Sequence, residues 1–105
     1  MKQKKLGEFE LTVMSAILEL GEEAYGVRIH NILIEKAGKT VAIGAIYTTL
    51  SRLEKKGYVS SHKGEPTAER GGRAKRYYSI TPLGREALEA TRSALQNALF
   101  GLGAL

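Results

Sequence analysis

Apolar residues recur at helical spacing along the first half of the chain and then give way to a different pattern. Between Glu8 and Leu20 they fall three or four positions apart, which predicts a first helix. Gly21 follows as a residue suited to end it. A second amphipathic stretch, from Gly26 to Ala37, predicts a second helix that ends at Gly38.

A third helix is predicted between Thr40, a residue type that caps helix N-termini, and Gly57. Its apolar stripe consists of Ile43, Ile46, Tyr47, Leu50 and Leu53. Lys55 and Lys56 lie in the predicted last turn, where cations interact favourably with the helix dipole. This helix is the third in a row without a strand between them.

The spacing then changes to that of a β-hairpin. Tyr58–His62 is predicted as a short strand, and Arg76–Ile80, rich in aromatic and β-branched residues, as the strand that returns. The stretch Gly64–Arg73 has the glycine, proline and charge content of a loop. Thr81 and Pro82 then form a typical helix start, with threonine as the cap and proline in the first turn.

The predicted order is three helices, a strand, a loop, a strand and a fourth helix. This is the order of a winged helix-turn-helix, a mainly α fold with a small β-hairpin as its wing and a C-terminal helix. We expect a DNA-binding domain over residues 1–80 and a dimerisation helix over residues 81–105. Leu88, Leu95 and Leu99 are expected to pair two chains, because a lone chain would expose them.

Composition and charge narrow the function. The 105 residues carry a net charge of +5, and residues 39–80 alone hold nine basic and three acidic residues. A basic segment of this kind is typical of a surface that binds nucleic acid. The chain has no cysteine and no apolar run of membrane length, so we expect a cytoplasmic protein without disulfides, metal site or membrane association.

The third helix fits the role of a recognition helix, which reads base edges in the major groove from its N-terminal residues. The candidate DNA-binding residues on it are Gly44, Ala45, Tyr47, Thr48, Thr49 and Arg52. Small residues allow a close approach, hydroxyls supply hydrogen bonds, and the arginine suits a phosphate. Two alternatives remain open: Tyr47 as a core aromatic, and Thr48 and Thr49 as ordinary exposed helix.

The predicted wing concentrates positive charge. Arg70, Arg73, Lys75 and Arg76 lie within seven residues, on either side of the glycine pair at positions 71 and 72. Four like charges on one hairpin repel one another unless an anion offsets them, so we expect them to contact duplex DNA. The alternative is a solvated loop tip.

Several segments together resemble the PadR family of bacterial transcriptional regulators. They are Leu6–Leu11, Glu22–Val27, Gly44–Leu50, Arg52–Val59, Gly71–Tyr78 and Thr81–Gly84. The resemblance implies a winged-helix domain, a cytoplasmic homodimer formed through the C-terminal helix, and repression of transcription. Carried over by position, it nominates Tyr47, Thr48, Arg73 and Lys75 for contact with DNA.

The chain has the length of the short class within that family. Some short members hold flat aromatic effectors with a tryptophan as stacking partner, and this sequence has no tryptophan. The sequence therefore leaves open whether a small-molecule effector exists, and it indicates no cofactor.

We therefore predict a sequence-specific regulator, acting as a repressor, that binds double-stranded DNA as a homodimer. The alternative is a winged-helix module that binds another protein and no DNA; an RNA-binding role is a lesser one. Catalysis is not expected, because the only histidines, His30 and His62, lie on different elements and the chain lacks both cysteine and aspartate.

Overall fold

A computed structural model describes residues 6–38, 40–65 and 75–105. This part of the chain contains four α-helices and two β-strands, and thereby confirms the predicted fold class. The helices are α1 Glu8–Leu20, α2 Gly26–Ala37, α3 Ile43–Lys55 and α4 Pro82–Ala98, and the strands are β1 Val59–Lys63 and β2 Arg76–Ile80. Two short 3₁₀ helices, Gly21–Glu23 and Phe100–Ala104, follow α1 and α4.

The first two helices end where the glycines predict. At Gly38 the backbone is left-handed, with φ at 63°, and the glycine N–H donates a hydrogen bond to the carbonyl of Leu33. Gly21 also has a positive φ, of 58°, and its N–H donates to the carbonyl of Ile17. Positive φ is costly for residues with a Cβ, which explains why glycine occupies both positions.

Helix α3 begins later than Thr40 predicts. Ala42 is the capping residue, in extended conformation, and it offers no side-chain hydrogen bond. The chain before it is held by His30, whose Nε2 donates to the carbonyl of Val41 over 2.7 Å. This tertiary contact keeps Val41 outside the helix, so the N-cap predicted at Thr40 is wrong.

The core lies where helices α1, α2 and α3 meet the inner face of the hairpin. Its fully buried side chains come from every one of these helices and from β1: Val13, Met14, Ile17, Ile29, Leu33, Ile46, Leu50, Leu53 and Val59. Burying a side chain of this size contributes about 1.5–3 kcal/mol each to stability before entropy is counted. The apolar stripes of the sequence thus become one continuous core.

The two strands form an antiparallel pair in which Val59 lies opposite Ile80. β1 starts one residue later than predicted, because the N–H of Tyr58 still donates to the carbonyl of Leu53 at the end of α3. β2 has a further neighbour: Tyr77 forms an isolated antiparallel bridge with Tyr25, just before α2. The hairpin is therefore joined by its backbone to the helical body.

Helix α4 starts at the predicted cap. The hydroxyl of Thr81 accepts from the N–H of Gly84 over 3.0 Å and donates to the carbonyl of Gly57 over 2.6 Å. Gly84 is buried against the backbone carbonyl of Tyr58, where a Cβ would not fit. From residue 92 to residue 105 every side chain is exposed, so the second half of α4 leaves the body of the chain. No helix within the described ranges is long and apolar enough to cross a membrane.

Candidate nucleic-acid interface

The outer side of α3 forms a polar and basic surface. Its exposed groove is lined by Tyr47, Thr48, Ser51, Arg52 and Lys55. The opposite side carries Ile46, Leu50 and Leu53, all fully buried, so the helix has one face in the core and one free. Gly44 and Ala45 are exposed in its first turn, as expected for residues that allow close approach.

Thr49 departs from the expected surface set. Its side chain is only 4% exposed, because its position in the helical turn places it on the inner side of α3 with Ile46 and Leu50. The expectation that Thr49 meets DNA is corrected accordingly. Ser51 and Lys55 take its place on the outer face; sequence reasoning missed both, although their i+4 and i+8 spacing from Tyr47 was available.

The sequence left open whether Tyr47 is a core aromatic or a surface residue, and the structure shows that it is partly each. Its side chain is 45% exposed, yet the end of its ring lies against the α-carbon of Gly26. A Cβ at Gly26 would overlap the phenol oxygen and two ring carbons of Tyr47. The ring is thus half packed against the start of α2 and half presented beside the exposed face of α3.

The end of α3 is fixed by a partly buried ion pair. The ammonium of Lys56 contacts Glu10 of α1 over 2.7 Å, and the other oxygen of Glu10 accepts from the N–H of Gly7. Burial by itself would raise the pKa of Glu10, but the two hydrogen bonds together with the positive charges of Lys56 and Arg52 outweigh it, and the pKa is lowered. The carboxylate therefore holds α3 in place relative to α1.

The base of the wing carries opposed cations. Lys63 of β1 lies directly opposite Arg76 of β2, and both are exposed. Like charges facing each other across a strand pair are destabilising, which makes this position attractive for an anion. Lys63 was not among the predicted site residues, because the first strand was predicted to end at His62.

Arg76 also belongs to a chain of hydrogen bonds that links the wing to α3. Its guanidinium donates to the hydroxyl of Ser61 over 3.0 Å, and that hydroxyl donates to Glu54 over 2.7 Å. Tyr78 is buried beside them; burial raises the pKa of Tyr78, and the negative charge of Glu54 adds to the effect. The predicted wing cation thus also positions the strand against the helix.

Lys75 occupies a different environment from the one predicted. Its ammonium lies over the ring of Tyr25, 3.7 Å from the ring centre, and the residue is partly buried. Arg70 and Arg73, the other two basic residues of the predicted wing, lie outside the described residues.

The predicted dimerisation residues divide into two groups. Leu95, on the part of α4 that leaves the body, and Leu99, which directly follows that helix, are 47% and 51% exposed. Leu88 is partly buried and packs against the core of its own chain. The expectation that a single chain exposes all three is therefore corrected for Leu88, because the first half of α4 lies on the hairpin.

Comparisons with known proteins agree with this architecture. The model of the Transcriptional regulator PadR-like family matches residues 14–90. A comparison with curated proteins found no match. Among solved structures, the PadR-like transcriptional regulator BC4206 of Bacillus cereus superposes with a TM-score of 0.74 at 23% identity, over 91% of this chain and 88% of that one.

Two further structures are similar to the same degree. A PadR family regulator of Clostridium difficile R20291 has a TM-score of 0.72 at 23% identity, over 91% of this chain and 98% of its own. A PadR family regulator of Eggerthella lenta has a TM-score of 0.68 at 24% identity, over 91% and 85%. At these identities the structures show the winged-helix fold, while the family match covers most of the chain. The chain therefore belongs to the PadR-like family of transcriptional regulators.

Proposed function

We propose that this regulator binds double-stranded DNA as a homodimer and represses transcription by covering a promoter. The observation that carries the proposal is the outer face of α3, where Tyr47, Thr48, Ser51, Arg52 and Lys55 share one exposed groove. A helix of 13 residues with one buried and one polar, basic face has the form that enters a major groove.

In this proposal α3 reads base edges and the wing contacts the backbone. The hydroxyl of Thr48 faces the bases, together with the exposed edge of the Tyr47 ring and the small residues Gly44 and Ala45, while Arg52 meets a phosphate. The cations Lys63 and Arg76, which face each other across the strand pair, favour the binding of an anionic partner at the wing. Arg70 and Arg73 lie between them in the sequence and add positive charge, and the resemblance to the family nominates Arg73 for contact with DNA.

The dimer is proposed to form through α4. Beyond residue 91 this helix is exposed on all sides, and Leu95 and Leu99 are half exposed without a covering element in the described part of the chain. Pairing of two such helices would bury them. The two recognition helices would then enter successive major grooves about one helical turn apart, on an inverted repeat. The cytoplasmic location expected from the sequence accompanies this proposal.

Selection of bound sequences from random duplex DNA tests the proposal. A recovered motif with two-fold symmetry is expected, and repression of a reporter behind that motif tests the sign of regulation. In a salt series on the recovered duplex, the variant Arg52→Ala should reduce the slope of log K against log salt by about 0.9, the contribution of one phosphate. Arg85→Ala, at an exposed position in the first half of α4, is the matched control and should leave the slope unchanged.

Failure to recover or bind any duplex would overturn the proposal. That result would favour the alternative, a winged-helix module whose partner is another protein.

A further inference from the structure

The point where the loop joins β2 is held on two sides. The N–H of Gly64 donates to the carbonyl of Lys75 over 2.7 Å, which closes the hairpin at this level. On the other side the ammonium of Lys75 lies 3.7 Å from the ring centre of Tyr25. Lys75 is therefore linked by its backbone to Gly64, which directly follows β1, and by its side chain to Tyr25, just before α2.

Tyr25 is itself well anchored. Its ring meets the ring of Tyr77 edge to face, with centres 5.5 Å apart and planes at 73°. The backbones of the two tyrosines form an antiparallel bridge, and the N–H of Tyr78 donates to the carbonyl of Ala24 over 2.8 Å. Lys75 thus lies over the ring of Tyr25, whose aromatic partner Tyr77 belongs to the wing.

A cation over an aromatic face is attracted by the negative potential of the ring. To contact a DNA phosphate, the ammonium of Lys75 would have to leave this position and give up that attraction. Arg76 and Lys63, by contrast, are exposed at the same level of the hairpin. Lys63 thus gives the wing a cation that meets a phosphate without losing a contact described for it, and Arg76 would give up only its exposed hydrogen bond to Ser61.

We propose that Lys75 is a positioning residue, which clamps the wing to the helical body through Tyr25 and does not neutralise a phosphate. The proposal rests on the proposed function, because it assigns a role within the same DNA-binding surface. A clamped hairpin base is already in place before DNA arrives, so binding does not have to supply the entropy of fixing that base. Loss of the clamp should weaken binding without removing an ionic contact.

Affinity and salt dependence separate these two roles. We would measure both on the duplex recovered by selection, for Lys75→Ala, Tyr25→Leu and the double variant. Each single variant should bind about two- to five-fold more weakly, the range expected for a cation–π pair at a partly exposed site. The salt slope should equal that of the unmodified protein. The double variant should bind no more weakly than the single ones, because both remove the same contact.

Conservative variants serve as controls. Tyr25→Phe keeps the aromatic ring, and Lys75→Arg keeps the cation, so both should bind close to the unmodified protein. A salt slope lowered by about 0.9 in Lys75→Ala would identify a phosphate contact and overturn the proposal. Additive losses in the double variant would overturn it as well.

A measurement without DNA keeps the clamp separate from the proposed function. In the free protein the ε-methylene protons of Lys75 should show an upfield ring-current shift in the NMR spectrum. The shift should persist in Tyr25→Phe and disappear in Tyr25→Leu. Its absence from the unmodified protein would overturn the clamp whatever the DNA result. If the shift is present and no duplex binds, the proposed function fails while the contact between wing and body stands.

Discussion

The phenol ring of Tyr47 lies directly on the α-carbon of Gly26, so the exposed face of α3 and the start of α2 meet at a residue without a side chain. A Cβ at this point would occupy the space of the ring. The contact sets how far Tyr47 projects from α3, and therefore how the proposed recognition surface is shaped.

Substitution Gly26→Ala should consequently displace Tyr47 and destabilise the protein by about 1–3 kcal/mol, the usual cost of overpacking. Denaturant unfolding measures the change. In a Tyr47→Ala background the same substitution should cost almost nothing, since the obstructing ring is gone.

Gly44→Ala is the matched control, because Gly44 also lies in the first turn of a helix and a Cβ there meets open space. It should stabilise the protein by up to about 1 kcal/mol. Equal effects at both glycines would contradict the assigned contact with Tyr47.

The cap of α4 gives a second prediction. Thr81→Ala removes both the hydrogen bond from Gly84 and the one to Gly57, and should lower the free energy of unfolding by about 1–2 kcal/mol. Thr81→Ser keeps the hydroxyl and should retain most of the stability. If the serine variant were as unstable as the alanine variant, the methyl group and not the cap would be responsible.

The ion pair between Glu10 and Lys56 predicts a pH dependence of stability. The pKa of Glu10 is lower in the folded chain than its usual value of 4.5. The carboxylate therefore stabilises the fold fully above pH 4.5, and this contribution is lost as the pH falls through the folded pKa. At neutral pH, Glu10→Gln should destabilise the protein by about 1.5–3 kcal/mol, as expected for a hydrogen bond to a charged group.

Chemical denaturation between pH 7 and pH 3 checks this sign. The difference in stability between the unmodified protein and Glu10→Gln should shrink towards acid pH. Glu86→Gln, at an exposed position of α4, serves as control and should cost little at any pH. A difference that stays constant with pH would count against the ion pair as its source.

The exposed leucines of α4 give a prediction for assembly. Leu95→Glu or Leu99→Glu should raise the dissociation constant of the dimer at least about tenfold, because burying one leucine contributes about 1.5–3 kcal/mol. Sedimentation equilibrium measures it. Val27→Glu, at an equally exposed apolar residue of α2, should leave the dimer intact; parallel losses in both variants would argue against α4 as the interface.

Helix periodicity, capping residues and turn glycines determined the order and nearly all the bounds of the elements. The bounds of α1, α2 and β2 follow the sequence because the signals are local: a stripe of apolar residues and a glycine or a threonine–proline pair at the end. The family could also be recognised from the sequence, because each segment that resembles it is a continuous stretch of the chain. The start of α3 could not be predicted from local signals, because it depends on the hydrogen bond from His30 of α2 to the carbonyl of Val41.

Tertiary contacts decided which role each individual side chain has in the structure. From the sequence alone, Thr49 was predicted to play the same role as Thr48, because the residue type is the same. Lys75 was predicted to act like the neighbouring arginines, because it carries the same charge. The structure buries Thr49 on the inner side of α3 and places Lys75 over Tyr25, a residue 50 positions away. Local patterns fix the elements through the backbone, whereas the role of a side chain depends on which distant residue packs against it.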